Sequence, residues 1–354
     1  MGTKMVTRYE TKVIQIGNLK IGGGNPIAVQ SMTNVKTKNV DVVVEQIHKI
    51  EQEGGQIVRF AVPDMESAKC IDKIKERVTV PLVADIHFDY RLALEAIDRG
   101  IDKVRLNPGN IGSFERVREV AKRAKVNSVP IRIGINGGSL ERDIAEQFRD
   151  NRPEGMVESA RRHIEILEQC DFDDIVVSLK ASDIQTTVQA YRLFAERYRY
   201  PLHIGVTEAG TAYEGLVKSS VGIGSLLLDG LGDTIRVSLT APPQEEIPAG
   251  IEILKACGLY QNYIRLISCP TCARCNIDLI PIANAVSEQV RKIHKDLTVA
   301  VMGCAVNGPG EARGADIGIA GGDGCALLFK KGEIVRKLDR SEIVPVLLEE
   351  IKKM

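Results

Sequence analysis

The chain has 354 residues, enough for one large domain and a smaller one, and its 44% apolar and 27% charged residues are ordinary for a globular protein. Lys+Arg and Asp+Glu both total 47, so the net charge of zero argues against a broad basic surface for nucleic acid, and any anion site must be local. Residues 1–12 lack the apolar core of a secretory signal, and no apolar run approaches the ~20 residues that span a bilayer. A cytoplasmic protein with no membrane partner is expected, a setting in which thiols stay reduced.

From residue 27 to about 260 a short β-branched run followed by an amphipathic helix recurs. Strands are predicted at 27–33, 56–62, 81–87, 103–108, 130–136, 174–182, 201–208 and 234–240. Helices are predicted at 42–53, 65–78, 91–99, 114–125, 156–169, 184–198, 213–229 and 244–257, several closed by glycines such as Gly54, Gly100, Gly230 and Gly258. Eight strand–helix units predict an α/β fold, a (β/α)₈ TIM-type barrel. A doubly wound sheet would call for a glycine-rich dinucleotide turn after the first strand, which instead ends in Gln30-Ser31-Met32-Thr33. After Tyr263 cysteine and glycine loops appear, with a helix at 283–294, a strand at 298–302, a glycine-rich stretch at 303–324, strands at 326–329 and 334–338, and a last helix at 341–353. This tail reads as a small α+β domain, and the boundary falls near 260, giving domains 1–260 and 261–354.

Barrel chemistry sits at the C-terminal ends of strands. Those ends carry Arg59, Asp85 and His87, Arg105 and Asn107, Arg132 and Asn136, Lys180, His203 with Thr207 and Glu208, and Arg236 with Ser238. Period-two alternation puts Arg105 with Asn107, Arg132 with Asn136, and Arg236 with Ser238 on common faces. Burying an unpaired cation costs several kcal/mol, and Asp85 and Glu208 cannot neutralise Arg59, Arg105, Arg132, Lys180 and Arg236. The missing counter-charge is read as a ligand bearing two or more negative charges, for which arginine forks suit phosphate oxygens. Pairing of individual arginines with loop carboxylates is the competing reading. Glu208 is the candidate for proton delivery, as a carboxyl beside a dry site. His87 is open between ligand, acid–base group and structural histidine.

Cys70, Cys170, Cys257 and Cys325 read as structural thiols. Cys269, Cys272 and Cys275 form C-x₂-C-x₂-C, and Cys304 follows at a distance. One loop plus a remote turn suits the four corners of a [4Fe–4S] cluster, whereas zinc ribbons show two C-x₂-C pairs. By spacing, Cys275 is the fourth ligand.

Seven motifs then point one way: Val29-Gln30-Ser31-Met32-Thr33-Asn34, Ala84-Asp85-Ile86-His87-Phe88, Val104 to Asn110, Arg132 to Asn136, His203 to Gly210, Ser268 to Cys272 and Gly303 to Glu311. In these the chain resembles the 4-hydroxy-3-methylbut-2-enyl diphosphate synthase family of the non-mevalonate isoprenoid pathway, in its two-domain bacterial type. The resemblance implies an oxidoreductase that opens and dehydrates 2-C-methyl-D-erythritol 2,4-cyclodiphosphate with two electrons, giving the linear allylic diphosphate. It implies a [4Fe–4S] cluster held by Cys269, Cys272, Cys304 and Glu311, with Glu311 displacing Cys275 from the ligand set and joining Glu208 among the catalytic groups. It implies diphosphate ligands Arg59, Arg105, Arg132, Lys180 and Ser238, with Asn136 and Arg236 nearby, and a reduced ferredoxin or flavodoxin as electron donor. It also implies a homodimer in which one subunit's cluster domain covers the partner's barrel. Geometry leads the same way: the helix at 244–257 runs from the mouth to the bottom of the barrel, so the small domain begins about a barrel's height from the substrate. Shared active sites are therefore expected. Two other functions compete: a zinc-stabilised barrel that binds phosphorylated metabolites without redox chemistry, and an aldolase or isomerase with Lys180 as Schiff base.

Overall fold

The computed structural model describes residues 5–305 and 312–354. It divides into two compact units, one ending at Leu259 and one spanning Tyr260–Met354.

The first unit opens with a hairpin of β1 (Ile14–Ile16) and β2 (Leu19–Ile21), turned at Gly17 with φ +54°. The barrel units follow in order: β3 (Ala28–Met32) and α1 (Val40–Gln52), β4 (Ile57–Ala61) with α2 (Met65–Ala68) and α3 (Ile71–Lys75), β5 (Leu82–Asp85) and α4 (Tyr90–Asp98), and β6 (Lys103–Arg105) and α5 (Phe114–Val126). Then come β7 (Ile131–Asn136) with α6 (Arg142–Gln147) and α7 (Arg152–Glu168), β8 (Ile175–Lys180) and α8 (Ile184–Ala195), β9 (His203–Ile204) and α9 (Ala212–Leu228), and β10 (Thr234–Ile235) and α10 (Glu246–Ala256). The eight strands β3 to β10 pair in parallel in the order β8-β7-β6-β5-β4-β3-β10-β9, and a single bridge from Val177 to Leu202 joins the two ends. This is the expected barrel.

Four details depart from the sequence expectation. The β1–β2 hairpin was not foreseen. The helix expected over 65–78 breaks at Lys69-Cys70, where the Cys70 amide takes a short-range bond to Ser67 O instead of continuing the α-helical ladder. α7 starts at Arg152 because Asn151 accepts the Glu154 amide and Pro153 sits in the first turn. β9 and β10 pair over two residues each, so the expected strands at 201–208 and 234–240 continue as irregular chain at the mouth.

The hairpin explains the barrel's lower end. Ile14, Ile16 and Ile21 pack against Ala28, Ile57, Val83 and Val176, the first inward side chains of four strands, in one apolar cluster. That cluster is the floor of the barrel.

The second unit holds a five-stranded sheet, β11 (Ile264–Ser268), β12 (Leu297–Met302), β13 (Ile317–Gly322), β14 (Cys325–Lys330) and β15 (Glu333–Leu338), in sequence order. The first three are parallel and the last three antiparallel. β11 and β13 lie where cysteine and glycine loops were expected. α11 (Leu279–Val290) and α12 (Ile343–Lys353) supply Val286, Val290, Leu347 and Ile351 to a core with Val299, Val301, Ile317 and Ile319. The alternate β12 residues, Ala300 and Met302, join a separate apolar cluster that Cys269 borders.

Candidate active site

Residues paired laterally across a sheet share a face. Met32 pairs with Arg59, Asp85 with Arg105, Arg105 with Arg132, and Asn136 with Lys180, so the cations from β4, β6, β7 and β8 form one inward set. Two glycines make room for them. A Cβ at Gly134 would lie 2.8 Å from Arg105 Nε, and one at Gly205 would lie 2.9 Å from Lys180 Nζ.

Two carboxylates meet part of this charge. Asp85 lies 3.8 Å from Arg59 Nε and 3.4 Å from an Arg105 nitrogen. Burial pushes its pKa up, but Arg59 and Arg105 outweigh that and hold it below the usual carboxylate range. Arg236 is gripped at both Nε and Nη2 by Glu246, at 3.1 and 3.2 Å, and Glu246 also accepts Ser31 Oγ at 2.8 Å. Pairing with a carboxylate, the competing reading, therefore holds for Arg236, whose fork is already engaged, although the partner lies on a helix rather than in a loop. Glu246 was not foreseen, because it lies eight residues past the eighth strand's last expected inward position, Ser238, on α10.

Arg132 and Lys180 have no ion pair among the described residues. Arg132 is 1% exposed; Nη1 reaches Ser178 Oγ at 3.3 Å, while Nε and Nη2 have no partner. Burial, then Arg59 and Arg105, depress its basicity. Lys180 Nζ lies 3.3 Å from His203 Nε2, and burial followed by Arg132 pulls its pKa well down. His203 is wholly buried, with Nδ1 2.8 Å from Thr234 Oγ1. Burial and then Lys180 hold it far below 6.5, so it is neutral, donating from Nδ1 to Thr234 and accepting from Lys180 at Nε2. A further cation escaped the sequence reading. Lys103, at the start of β6, is wholly buried, and its Nζ has no hydrogen-bond partner among the described residues. Burial also lowers Arg59, to about 10.

Around this interior lie the other expected residues. Asn136 is exposed at the end of β7, and Ser238 is half-buried two residues beyond Arg236. Glu208 is exposed at the rim rather than in a dry site, and it holds φ +53°, a conformation costly for a side chain with a Cβ. A pocket of about 590 Å³ opens beside β5–β7, lined by Arg105, Asn107, Asn136, Glu141 and His163 among others.

In the second unit Cys269 follows β11 and Cys304 follows β12, so the two stand just past the ends of adjacent parallel strands. The Gly303 amide donates to Cys269 Sγ at 3.2 Å, Cys304 is buried and Cys272 is exposed. Hydrogen bonds from Arg274, backbone first and side chain next, lower the Cys272 thiol. Among the described residues, no three Cys, His, Asp or Glu side chains form a ready ligand group. Glu311 lies outside the described residues. Cys275 is engaged elsewhere: its thiol donates to Ile277 O at 3.2 Å and packs so closely on Gly303 that a Cβ there would lie 2.6 Å from the sulfur.

The GcpE TIM-barrel domain model matches residues 11–251, and the GcpE protein C-terminal domain model matches residues 265–353. The chain is 54% identical over 349 residues to a 4-hydroxy-3-methylbut-2-en-1-yl diphosphate synthase (flavodoxin) of Ruminiclostridium cellulolyticum, covering 99% of both chains. It is 56% identical over 341 residues to the protein of that name from Caldicellulosiruptor saccharolyticus, covering 96% of this chain and 98% of the relative. Among solved structures, Yersinia pestis dihydropteroate synthase aligns with a TM-score of 0.50 at 11% identity, over 70% of this chain and 97% of that one, a likeness of fold alone.

Proposed function

The chain belongs to the GcpE family, and from that premise we propose that it catalyses the reductive ring opening and dehydration of 2-C-methyl-D-erythritol 2,4-cyclodiphosphate to 4-hydroxy-3-methylbut-2-enyl diphosphate. One observation in the molecule carries the reading. Arg59, Arg105, Arg132, Lys180 and Arg236 converge inside the barrel; among the described residues only Asp85 and Glu246 oppose them, and Arg132 keeps two unpartnered nitrogens. A diphosphate supplies the missing negative charge.

In this reading Arg132 and Lys180 hold the diphosphate oxygens directly, with Arg59 and Arg105 adding forks already oriented by Asp85. Glu246 holds Arg236 at the edge of the site, so Arg236 steers more than it binds. Asn136 and Ser238 reach the substrate from the strand ends, and Glu208 stands at the rim as the group placed to relay a proton to the departing oxygen. Cys269, Cys272, Cys304 and Glu311 would hold a [4Fe–4S] cluster, which when bound would relay to the substrate, one at a time, the two electrons of the reduction. Three features of the cysteines support this reading: an amide aimed at Cys269 Sγ, a lowered thiol at Cys272, and Cys275 turned to Ile277 O. Reduced flavodoxin, the donor that the relatives' names carry, is the electron source proposed here, in the cytoplasm.

We propose further that two copies share their sites. Glu246 at the start of α10 grips Arg236 at the mouth, whereas Ile251 lies by Gly54, beneath β4, so α10 runs from the mouth toward the floor. A head-to-tail dimer lets the cluster unit of one copy serve the other's barrel.

The test is an anaerobic assay of brown, cluster-loaded protein with the cyclic diphosphate and reduced flavodoxin. Formation of the linear allylic diphosphate is expected; its absence from loaded, reduced protein would sink the reading. Mixing inactive Cys304→Ser with inactive Arg132→Ala should restore part of the activity, and no recovery in proven heterodimers would restrict each cluster to its own chain.

A further inference from the structure

His163 stands outside every motif that marked the site, in the middle of α7, and it is 3% exposed. Both ring nitrogens are engaged. Nδ1 accepts the Gly109 amide at 3.0 Å, and Nε2 lies 3.2 Å from Glu141 Oε1. An acceptor at Nδ1 leaves the ring proton at Nε2, where Glu141 receives it. Ser159 Oγ, one turn earlier on α7, donates to the other carboxylate oxygen of Glu141 at 2.7 Å. His163 first, then a backbone amide and Ser159, hold the Glu141 carboxyl at about 2 against the opposing effect of burial, so it is a fixed anion.

The two residues that His163 grips belong to different mouth loops. Gly109 follows β6, in the loop that begins with Asn107, whose amide side chain closes two bonds of 2.9 Å with the backbone of Gly134. Glu141 ends the loop that leaves β7 at Asn136. The Gly109 site is tight, since a Cβ there would lie 2.6 Å from His163 Cε1. One buried ring thus ties the loop after Arg105 to the loop after Arg132, and the pocket between them is lined by Arg105, Asn136, Glu141 and His163.

We infer that His163, oriented by Glu141 and Ser159, is a positioning residue that fixes the spacing of the β6 and β7 mouth loops and so the geometry in which Arg105 and Asn136 meet the substrate. The inference rests on the function proposed above. It assigns the essential contact to Nδ1, because that is the ring atom to which the loop following Arg105 donates a hydrogen bond.

Two near-isosteric variants separate the contacts. In His163→Asn the amide oxygen takes the place of Nδ1 and keeps an acceptor for Gly109. In His163→Gln the longer side chain reaches toward Glu141 and leaves the Gly109 amide unanswered. Both lose packing, so both melting temperatures should fall by similar amounts. With cluster-loaded protein, His163→Gln should bind the cyclic diphosphate about tenfold more weakly, the loss of one oriented hydrogen bond, while His163→Asn stays within about twofold. Amide exchange at Gly109 should be slow in wild type and His163→Asn and fast in His163→Gln. Wild-type affinity in His163→Gln, or equal losses in both variants, would overturn the assignment. Wild-type protein that fails to bind the cyclic diphosphate would count against the proposed function instead, and Gly109 exchange, alike in the two variants, would then overturn the clamp on its own.

Discussion

The lower and upper halves of the barrel interior hang from the same strands with the same inward parity, yet they hold opposite chemistry. Below, Ala28, Ile57, Val83 and Val176 close on the isoleucines of the β1–β2 hairpin, all within one apolar cluster. Above, one or two inward positions further along, come Gln30, Arg59, Asp85, Ser178 and Lys180, joined by Arg105 and Arg132 from β6 and β7. The floor gains from leaving water, at about 25 cal/mol per Å² of apolar surface, whereas each unpaired cation above it loses several kcal/mol on burial. The floor therefore supplies stability that the mouth spends on holding charge ready for a ligand. Function and folding are separated along the axis of a single barrel.

If that division holds, the largest change comes from below. Ile16→Ala should cost about 3 kcal/mol of stability by leaving a cavity between hairpin and floor, with diphosphate affinity unchanged in the folded fraction. Denaturant titration and calorimetric binding would measure the two; a matching loss of affinity would join the floor to the site. Next, Arg132→Ala should lose about 2 kcal/mol of diphosphate binding, some 30-fold, with a melting temperature equal to or above wild type. A protein that loses stability instead would make Arg132 a structural group.

The third effect depends on pH. Burial holds His203 neutral far below 6.5 in the folded protein, while the unfolded chain takes up a proton at that value. This group's contribution is complete above about pH 6.5 and declines as pH falls, by up to about 1.4 kcal/mol per pH unit. Unfolding titrations from pH 7 downward should show that slope, and His203→Gln should flatten it; an unchanged slope would place the acid sensitivity elsewhere. The smallest effect belongs to Lys103, which pairs in register with Val83 of the floor but bears the charge of the mouth. Its pKa is pulled well down by burial and then by Arg132, so charge is a burden to the folded state. Lys103→Met should stabilise by about 1 kcal/mol at neutral pH and weaken diphosphate binding less than Arg132→Ala does. Destabilisation would show that a buried partner satisfies the ammonium.

The barrel and its ring of cations were legible because both follow from period-two alternation: a cation at a strand end must face in or out, and its neighbours two residues away fix which. What escaped has physical reasons. The strands of the hairpin are three residues each, too short to show a period, and β13 runs Ile-Gly-Ile-Ala-Gly-Gly, where glycine density looks like loop. Lys103 sits one inward position below a strand end, where the barrel rule does not look. Glu246, Glu141 and His163 lie on or before helices, and only the closed fold brings them to the mouth. Glu208 was read as lying in a dry site, and nothing local in Thr207-Glu208-Ala209 announces an exposed, left-handed residue.

Gly134 has a use of its own. Its backbone is free of the left-handed region, and the three nearest atoms to an added Cβ all belong to the Arg105 guanidinium group, at 2.8, 3.1 and 3.3 Å. At Gly205, by contrast, the first obstacle is a backbone oxygen, Arg236 O at 2.5 Å. An alanine at 134 would thus keep every charge in the barrel and every strand in register while moving one cation sideways. Gly134→Ala is in effect a steric dial on Arg105, able to distinguish an enzyme that needs positive potential in its mouth from one that needs a guanidinium at a fixed point.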